Sequence, residues 1–260
     1  VKQRIIVGVL AGALFLAFLI IGRIPFVLFS ALLGVLAFLE CIHIVKIKRA
    51  SLPGVVGSLA VFLMVIHPFI ENHGFSYSII GIVIALSLIL LIVTVFSYQS
   101  FSFEKAALTT FSTLYIGFAF MLLFEVRNKD LLLALFILIL IWTADSGAYF
   151  FGKFFGKHKL IPHISPNKTI EGAIGGIVAT FIISIILQLI IGFEDSTMNL
   201  MVITLLIAVF GPIGDLVESA LKRHYNVKDS GAILSGHGGV LDRVDSWIFV
   251  LPVLYVFHLI

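Results

Sequence analysis

SALKRHYNVKDSGAILSGHGGVLDRVDS, Ser219 to Ser246, is a polar stretch set between two apolar runs, Leu200 to Leu221 and Val244 to Ile260. It carries the basic residues Lys222, Arg223, Lys228 and Arg243 and the acidic residues Asp229, Asp242 and Asp245. Apolar runs of this length on both sides mark it as a loop between two membrane spans. Composition agrees: 60% of the 260 residues are hydrophobic and 12% are charged, and the mean hydropathy is +1.18. No soluble domain of ordinary composition is so apolar, which makes the chain an integral membrane protein.

A bilayer core about 30 Å thick is crossed by roughly 20 residues of helix rising 1.5 Å per residue. Nine stretches qualify: Ile5–Ile21, Ile24–Leu39, Val55–Ile70, Tyr77–Phe96, Ala106–Phe124, Leu131–Phe151, Ala173–Ile191, Leu200–Leu221 and Val244–Ile260. The second and third are short, with polar ends at Glu40 and at His67 and Pro68. The first has basic flanks but no small-residue cleavage pattern, so it reads as a retained span. The pattern predicts an all-α polytopic membrane protein of about nine transmembrane helices. Residues 1–130 form an N-terminal transmembrane region of about five helices. Residues 131–260 form a C-terminal transmembrane region of about four helices, with two loops that carry the unusual residues.

An odd number of spans places the loops on two alternating sides. The N-terminal side collects Lys2, Arg4, Lys46, Lys48, Arg49, Lys105, Lys153, Lys157, Lys159, Lys168, Lys222, Arg223, Lys228 and Arg243. Opposite them are Arg23, Arg127 and Lys129, so fourteen of the 17 basic residues share one side. Cationic loops stay in the cytoplasm, which predicts a cytoplasmic N-terminus and a multi-pass plasma-membrane protein. For Lys2, Arg4, Lys46, Lys48 and Arg49, setting topology or touching anionic headgroups is a sufficient account. Cys41 is the single cysteine, which excludes an internal disulfide and any Cys-pair redox or metal chemistry. His43, His67, His73, His158, His224 and His258 lack metal-ligand spacing and read as interfacial or locally bonded.

Ionisable groups in or beside spans are costly and therefore candidates for function. Here they cluster in the second half. WTADSGAY places Asp145 in the sixth span, and GPIGDLVESALKR spaces Asp215, Glu218 and Lys222 by three and four, on one helical face. DRVDS spaces Asp242 and Asp245 by three. Oxygen ligands without a His or Cys cage suit Mg²⁺, which takes one or two carboxylates and completes its shell with water and substrate phosphates. Lys222, Arg223, Lys228 and Arg243 beside them suit phosphate oxygens. That mixture of signs is what phosphoryl or nucleotidyl transfer needs. Glycines around His237 in SGHGG, including Gly238 and Gly239, let a backbone approach a phosphate closely. In SPNKTIEG, Ser165 before a proline predicts a helix start, with Asn167, Lys168 and Thr169 in its first turn as an anion site. The alternative for Asp215, Glu218, Asp242 and Asp245 is a set of internal salt bridges with Lys222 and Arg243 that lock helices. Gly147 to Lys153 imitates a P-loop, but Phe154 stands where Ser or Thr must hold Mg²⁺, and a membrane span precedes it instead of a strand.

These residues resemble a known signature. SALKRHYNVKDSGAILSGHGGVLDRVD is similar to that of the phosphatidate cytidylyltransferase, or CDP-diacylglycerol synthase, family: Ser, any, apolar, Lys, Arg, four residues, Lys, Asp, then His-Gly-Gly, two residues, Asp, Arg, apolar, Asp. All its fixed positions are present, and the likeness extends to SPNKTIEG, WTADSGAY and the span content. The resemblance implies an enzyme, a nucleotidyltransferase of phospholipid biosynthesis that makes CDP-diacylglycerol and pyrophosphate from CTP and phosphatidic acid. It implies Mg²⁺, with a second cation left open, held chiefly by Asp215 and Asp242, with Asp245 and Glu218 as ligands or orienting carboxylates. Lys222, Arg223, Lys228 and Arg243 would meet the triphosphate; Asp229, His237, Gly238 and Gly239 would be substrate-binding; Ser165, Asn167, Lys168 and Thr169 would meet lipid or nucleotide phosphate; Asp145 would lie nearby. The implied partners are CTP, phosphatidic acid, membrane lipids and a second copy of the chain, with no nucleic acid. Two alternatives stand beside this reading. A CTP-dependent lipid-alcohol kinase would release CDP, and an ion or metabolite transporter would carry cargo on its intramembrane carboxylates.

Overall fold

The computed structural model describes residues 2–193, 196–231, 233 and 238–260, with side chains from residue 7 onward. Among the described residues the helices are α1 (Lys2–Ile21), α2 (Arg23–Ile44), α3 (Leu52–Glu71), α4 (Ile79–Phe96), α5 (Phe103–Lys129), α6 (Leu131–Phe155), α7 (Ile170–Ile191), α8 (Thr197–His224) and α9 (Leu241–Val256). Between α6 and α7 lie two short antiparallel strands, β1 (Lys159–Ile161) and β2 (Ser165–Thr169). The helices from α2 to α8 are each long and apolar enough to cross a membrane, α1 holds a shorter apolar segment, Val7–Ile21, and α9 has 16 residues. The protein is an all-α polytopic membrane protein. Without water in a bilayer core every backbone group must bond internally, and a helix does this within one segment. Large apolar side chains such as Ile80, Val95, Phe96, Leu189 and Ile190 face outward, which lipid rewards and water would not.

Helix ends follow local chemistry. Ser51, Ser78 and Asp130 cap α3, α4 and α6, each accepting an amide of the first turn, and α7 stops at Gly192 with φ of 64°. The polar ends that shorten the second and third spans in sequence do not end the helices. Glu40 is fully buried within α2, and His67 bonds the carbonyl of Tyr77 at 2.8 Å while α3 continues to Glu71.

Packing divides the chain into two compact units. The first comprises Val1–Lys129 with Tyr225–Arg243, and the second Asp130–His224 with Val244–Ile260. In the first, α2, α3 and α5 pack mutually, α4 lies on α3 and α5, and α1 lies on α2. Phe26, Phe38, Met64, Ile116 and Phe124 fill this core. Arg127 of α5 donates to the carbonyls of Leu19 and Ile20 at 2.7 and 2.9 Å, satisfying the end of α1.

The second unit is built on the α6–α7 pair, with α8 against both. A Cβ at Gly147 of α6 would lie 2.9 Å from that of Ala179, and one at Gly176 of α7 would lie 2.9 Å from the Ala144 carbonyl. Small residues thus let the two backbones touch where lipid offers no hydrophobic drive for association. Inside the unit, Ser184 of α7 and Thr204 of α8 hydrogen bond at 2.6 Å.

The hairpin corrects one sequence expectation. Asn167, Lys168 and Thr169 do not form the first turn of a helix; with Ser165 they belong to β2, paired Lys159↔Thr169 and Ile161↔Ser165 with β1. Thr169 is the N-cap of α7 and accepts the Gly172 amide at 3.1 Å. The backbone of a two-stranded hairpin is satisfied by its partner strand, a choice that a serine-proline start signal read locally does not show. Gly147 to Lys153 lies inside α6, so no P-loop forms there.

Candidate active site

In the second unit the spacing of α8 does what it predicts. Glu218 Oε2 accepts from Lys222 Nζ at 2.9 Å, four residues along the helix, and Asp215 Oδ1 accepts from Ser219 Oγ at 3.2 Å. Glu218 and Lys222 are 6% and 12% exposed, so this pair, formed within α8, sits away from bulk water. Pro212 lies inside α8 three residues before Asp215.

Lys168 reaches this face from the hairpin. Its Nζ lies 2.8 Å from Asp215 Oδ2 and donates to the Pro212 carbonyl at 3.0 Å. The strand, and not a helix N-terminus, delivers the lysine. A second anchor fixes that strand: Arg223 Nε donates to the Ile164 carbonyl in the turn at 3.2 Å. A third is Glu171, whose carboxylate accepts the amides of Lys157 and His158 at 3.1 and 3.2 Å and pairs with His158 Nδ1 at 2.6 Å.

Two more carboxylates join the group. Asp145 of α6 accepts from Ser246 Oγ at 3.4 Å, and Asp245 of α9 accepts from the Ser246 amide at 2.8 Å. Asp145, Asp215 and Asp245 lie close enough to repel one another, and Glu218 acts on Asp245 in the same sense. Gly214 makes this possible. A Cβ there would fall 2.8 Å from the Asp245 carbonyl and from Phe249 Cβ, so only glycine lets α8 and α9 meet beside the acids. The ammonium groups of Lys168 and Lys222 pair with Asp215 and Glu218 of this group. Among the described residues no three Asp, Glu, His or Cys side chains form a ready-made cage. Mg²⁺ does not need one, because water and substrate phosphates supply most of its shell.

The remaining signature residues belong to the first unit. Asp242 Oδ2 accepts the Ser230 amide at 3.0 Å, the Ser230 hydroxyl at 2.9 Å and the Gly239 amide at 2.8 Å. The Gly238 and Gly239 backbone therefore wraps a carboxylate of the protein itself; a Cβ at Gly238 would lie 2.5 Å from Asp242 Oδ2. Lys228, Asp229 and Arg243 are exposed. His237 lies outside the described residues. Glu40, Glu171, Ser230 and Ser246 were not singled out from sequence. Glu40 carried a usable signal, an ionisable residue within an apolar run; the serines and Glu171 carried none.

Comparison with known proteins gives this chemistry a family. The chain matches the cytidylyltransferase family over residues 2–260. It is 45% identical over 260 residues to the phosphatidate cytidylyltransferase of Bacillus subtilis (strain 168), covering 98% of this chain and 96% of that protein. To the phosphatidate cytidylyltransferase of Staphylococcus saprophyticus it is 42% identical over 255 residues, and to that of Staphylococcus aureus (strain COL) 40% over 257, each covering 98% of both chains. On this agreement along its whole length, the chain belongs to the cytidylyltransferase family.

Proposed function

We propose that the chain is an integral membrane nucleotidyltransferase that joins CTP and phosphatidic acid into CDP-diacylglycerol and releases pyrophosphate. Its relatives carry the name of this activity. The observation that carries the reading is the cluster in the second unit, where Lys168 pairs with Asp215 beside Asp145, Glu218 and Asp245. In the reaction an oxygen of the lipid phosphate forms a bond to the α-phosphorus of CTP as the bond to the β-phosphate oxygen breaks. Two polyanions must approach, so the work is positioning and charge neutralisation.

Mg²⁺ is the ion proposed, supplying charge neutralisation and a template for phosphate oxygens. Asp215 and Asp245 would hold it, with Asp145 and Glu218 setting the local charge. Asp242 is proposed as a further cation ligand on the signature alone, and a second cation stays within the proposal. Lys168 exchanges Asp215 for a substrate phosphate and stabilises charge on the transferring group. Lys222, Lys228 and Arg243 screen the triphosphate and the departing pyrophosphate, and Asp229, His237, Gly238 and Gly239 are proposed to shape the neighbouring polar stretch toward the substrate. Arg223 holds the hairpin, and with it Ser165, Asn167 and Thr169, in place for Lys168. The basic bias of fourteen residues in 17 supports a cytoplasmic N-terminus and a site facing the cytoplasm of a plasma membrane. A homodimer is proposed from the family resemblance.

Purified protein given phosphatidic acid, Mg²⁺ and each of the four nucleoside triphosphates in turn tests this. The expected result is pyrophosphate and CDP-diacylglycerol with CTP. Release of CDP with a phosphorylated lipid would replace the reading with a lipid kinase.

A further inference from the structure

Glu40 has no solvent exposure, although it lies in a span where a carboxylate is expensive. Its Oε2 accepts the Leu241 amide at 2.8 Å and the Ser230 hydroxyl at 3.2 Å. The same Ser230 oxygen lies 2.9 Å from Asp242 Oδ2. A hydroxyl has one proton, so Ser230, within hydrogen-bond distance of both carboxylates, shares it between them and couples the two. Glu40 Oε1 is buried with no hydrogen-bond partner among the described residues. The loop is shaped around this group: a Cβ on Gly231 would collide with Oε1, and one on Gly239 with Oε2 and with Ser230 Oγ.

A residue needed only to fill space or to accept one amide would serve as well uncharged, because burying a carboxylate is costly. Here the carboxylate binds both ends of the segment from Ser230 to Leu241, and Asp242 follows directly. The geometry points to Glu40 as a positioning residue for Asp242: from α2, through the Ser230 hydroxyl and the Leu241 amide, it holds the Asp242 carboxylate in its working orientation.

This rests on the reading of Asp242 as a cation ligand. The test uses the full chain in detergent and three variants, Asp242→Asn, Glu40→Ala and Ser230→Ala, with Glu40→Gln as the conservative rescue. Two quantities are read: Mn²⁺ affinity without nucleotide, by electron paramagnetic resonance, and the Mg²⁺ concentration giving half-maximal pyrophosphate release. Residues that orient a metal ligand change affinity by about 10- to 100-fold, and this loss is expected in Glu40→Ala and Ser230→Ala. Glu40→Gln, which keeps an acceptor for the Leu241 amide, recovers most of it. If Asp242→Asn shifts both quantities while Glu40→Ala and Ser230→Ala match the parent, the positioning role is wrong and the metal role of Asp242 stands. If Asp242→Asn itself changes neither, the metal role fails and the positioning role falls with it. Should Glu40→Ala not fold, Ser230→Ala, which removes only the shared hydroxyl, decides alone.

Discussion

Lys168→Met separates the two tasks assigned to the lysine. The Nζ stands 2.8 Å from Asp215 Oδ2, with side-chain exposures of 23% and 36%. At that separation and an effective dielectric of about 20, the gross attraction is about 6 kcal/mol. Desolvation, side-chain entropy and partial exposure cancel most of it, leaving about 1–2 kcal/mol. A cation that binds Asp215 through Oδ2 competes with this contact. Removing the lysine therefore tightens Mn²⁺ binding in the absence of nucleotide by about 5- to 30-fold, at 1.4 kcal/mol per tenfold. Turnover moves the other way, because the substrate phosphate loses its ammonium partner, and falls by about 10²- to 10³-fold. Paramagnetic resonance of Mn²⁺ measures the first effect and pyrophosphate release at saturating Mg²⁺ the second. The methionine side chain preserves the length and most of the bulk of the lysine, so the hairpin stays seated. Unchanged or weaker Mn²⁺ binding would refute the claim that Lys168 guards a metal ligand, and parental turnover would refute its phosphate role.

Other outcomes follow from the same geometry. Asp215→Asn keeps the helix and its insertion but abolishes product formation; membrane fractionation with the pyrophosphate assay checks both, and activity equal to the parent removes Asp215 from the site. Gly214→Val forces α8 from α9 at a 2.8 Å contact with backbone, costing about 1–3 kcal/mol in thermal stability and spreading the carboxylates so that turnover falls. Glu171→Ala releases the amides of Lys157 and His158 and loosens the hairpin that presents Lys168. It raises hydrogen exchange over residues 157–169 and lowers turnover in the parent, with no further loss when added to Lys168→Met.

Part of the candidate site was legible because its residues are close in sequence. Asp215, Glu218 and Lys222 share a face by helical periodicity alone, and the observed Glu218–Lys222 pair is a direct consequence. The spans were legible for a related reason, since α6 and α7 begin within three residues of the hydropathy boundaries at Leu131 and Ala173. The hairpin was not. Its strands are three and five residues long, and a Ser-Pro start signal outweighs so brief an alternation.

The linear sequence determined that this chain lives in a membrane, where its helices lie, and which acids and bases are available, because hydropathy and helical spacing are properties of neighbouring residues. Tertiary structure decided the partners. Lys168 meets the Pro212 carbonyl across 44 positions, and Glu40 meets the Leu241 amide across 201. A glycine at 214 has meaning only once α9 lies against it. Such contacts depend on how closely one helix can approach another, which packing sets across the fold and no local window of sequence contains.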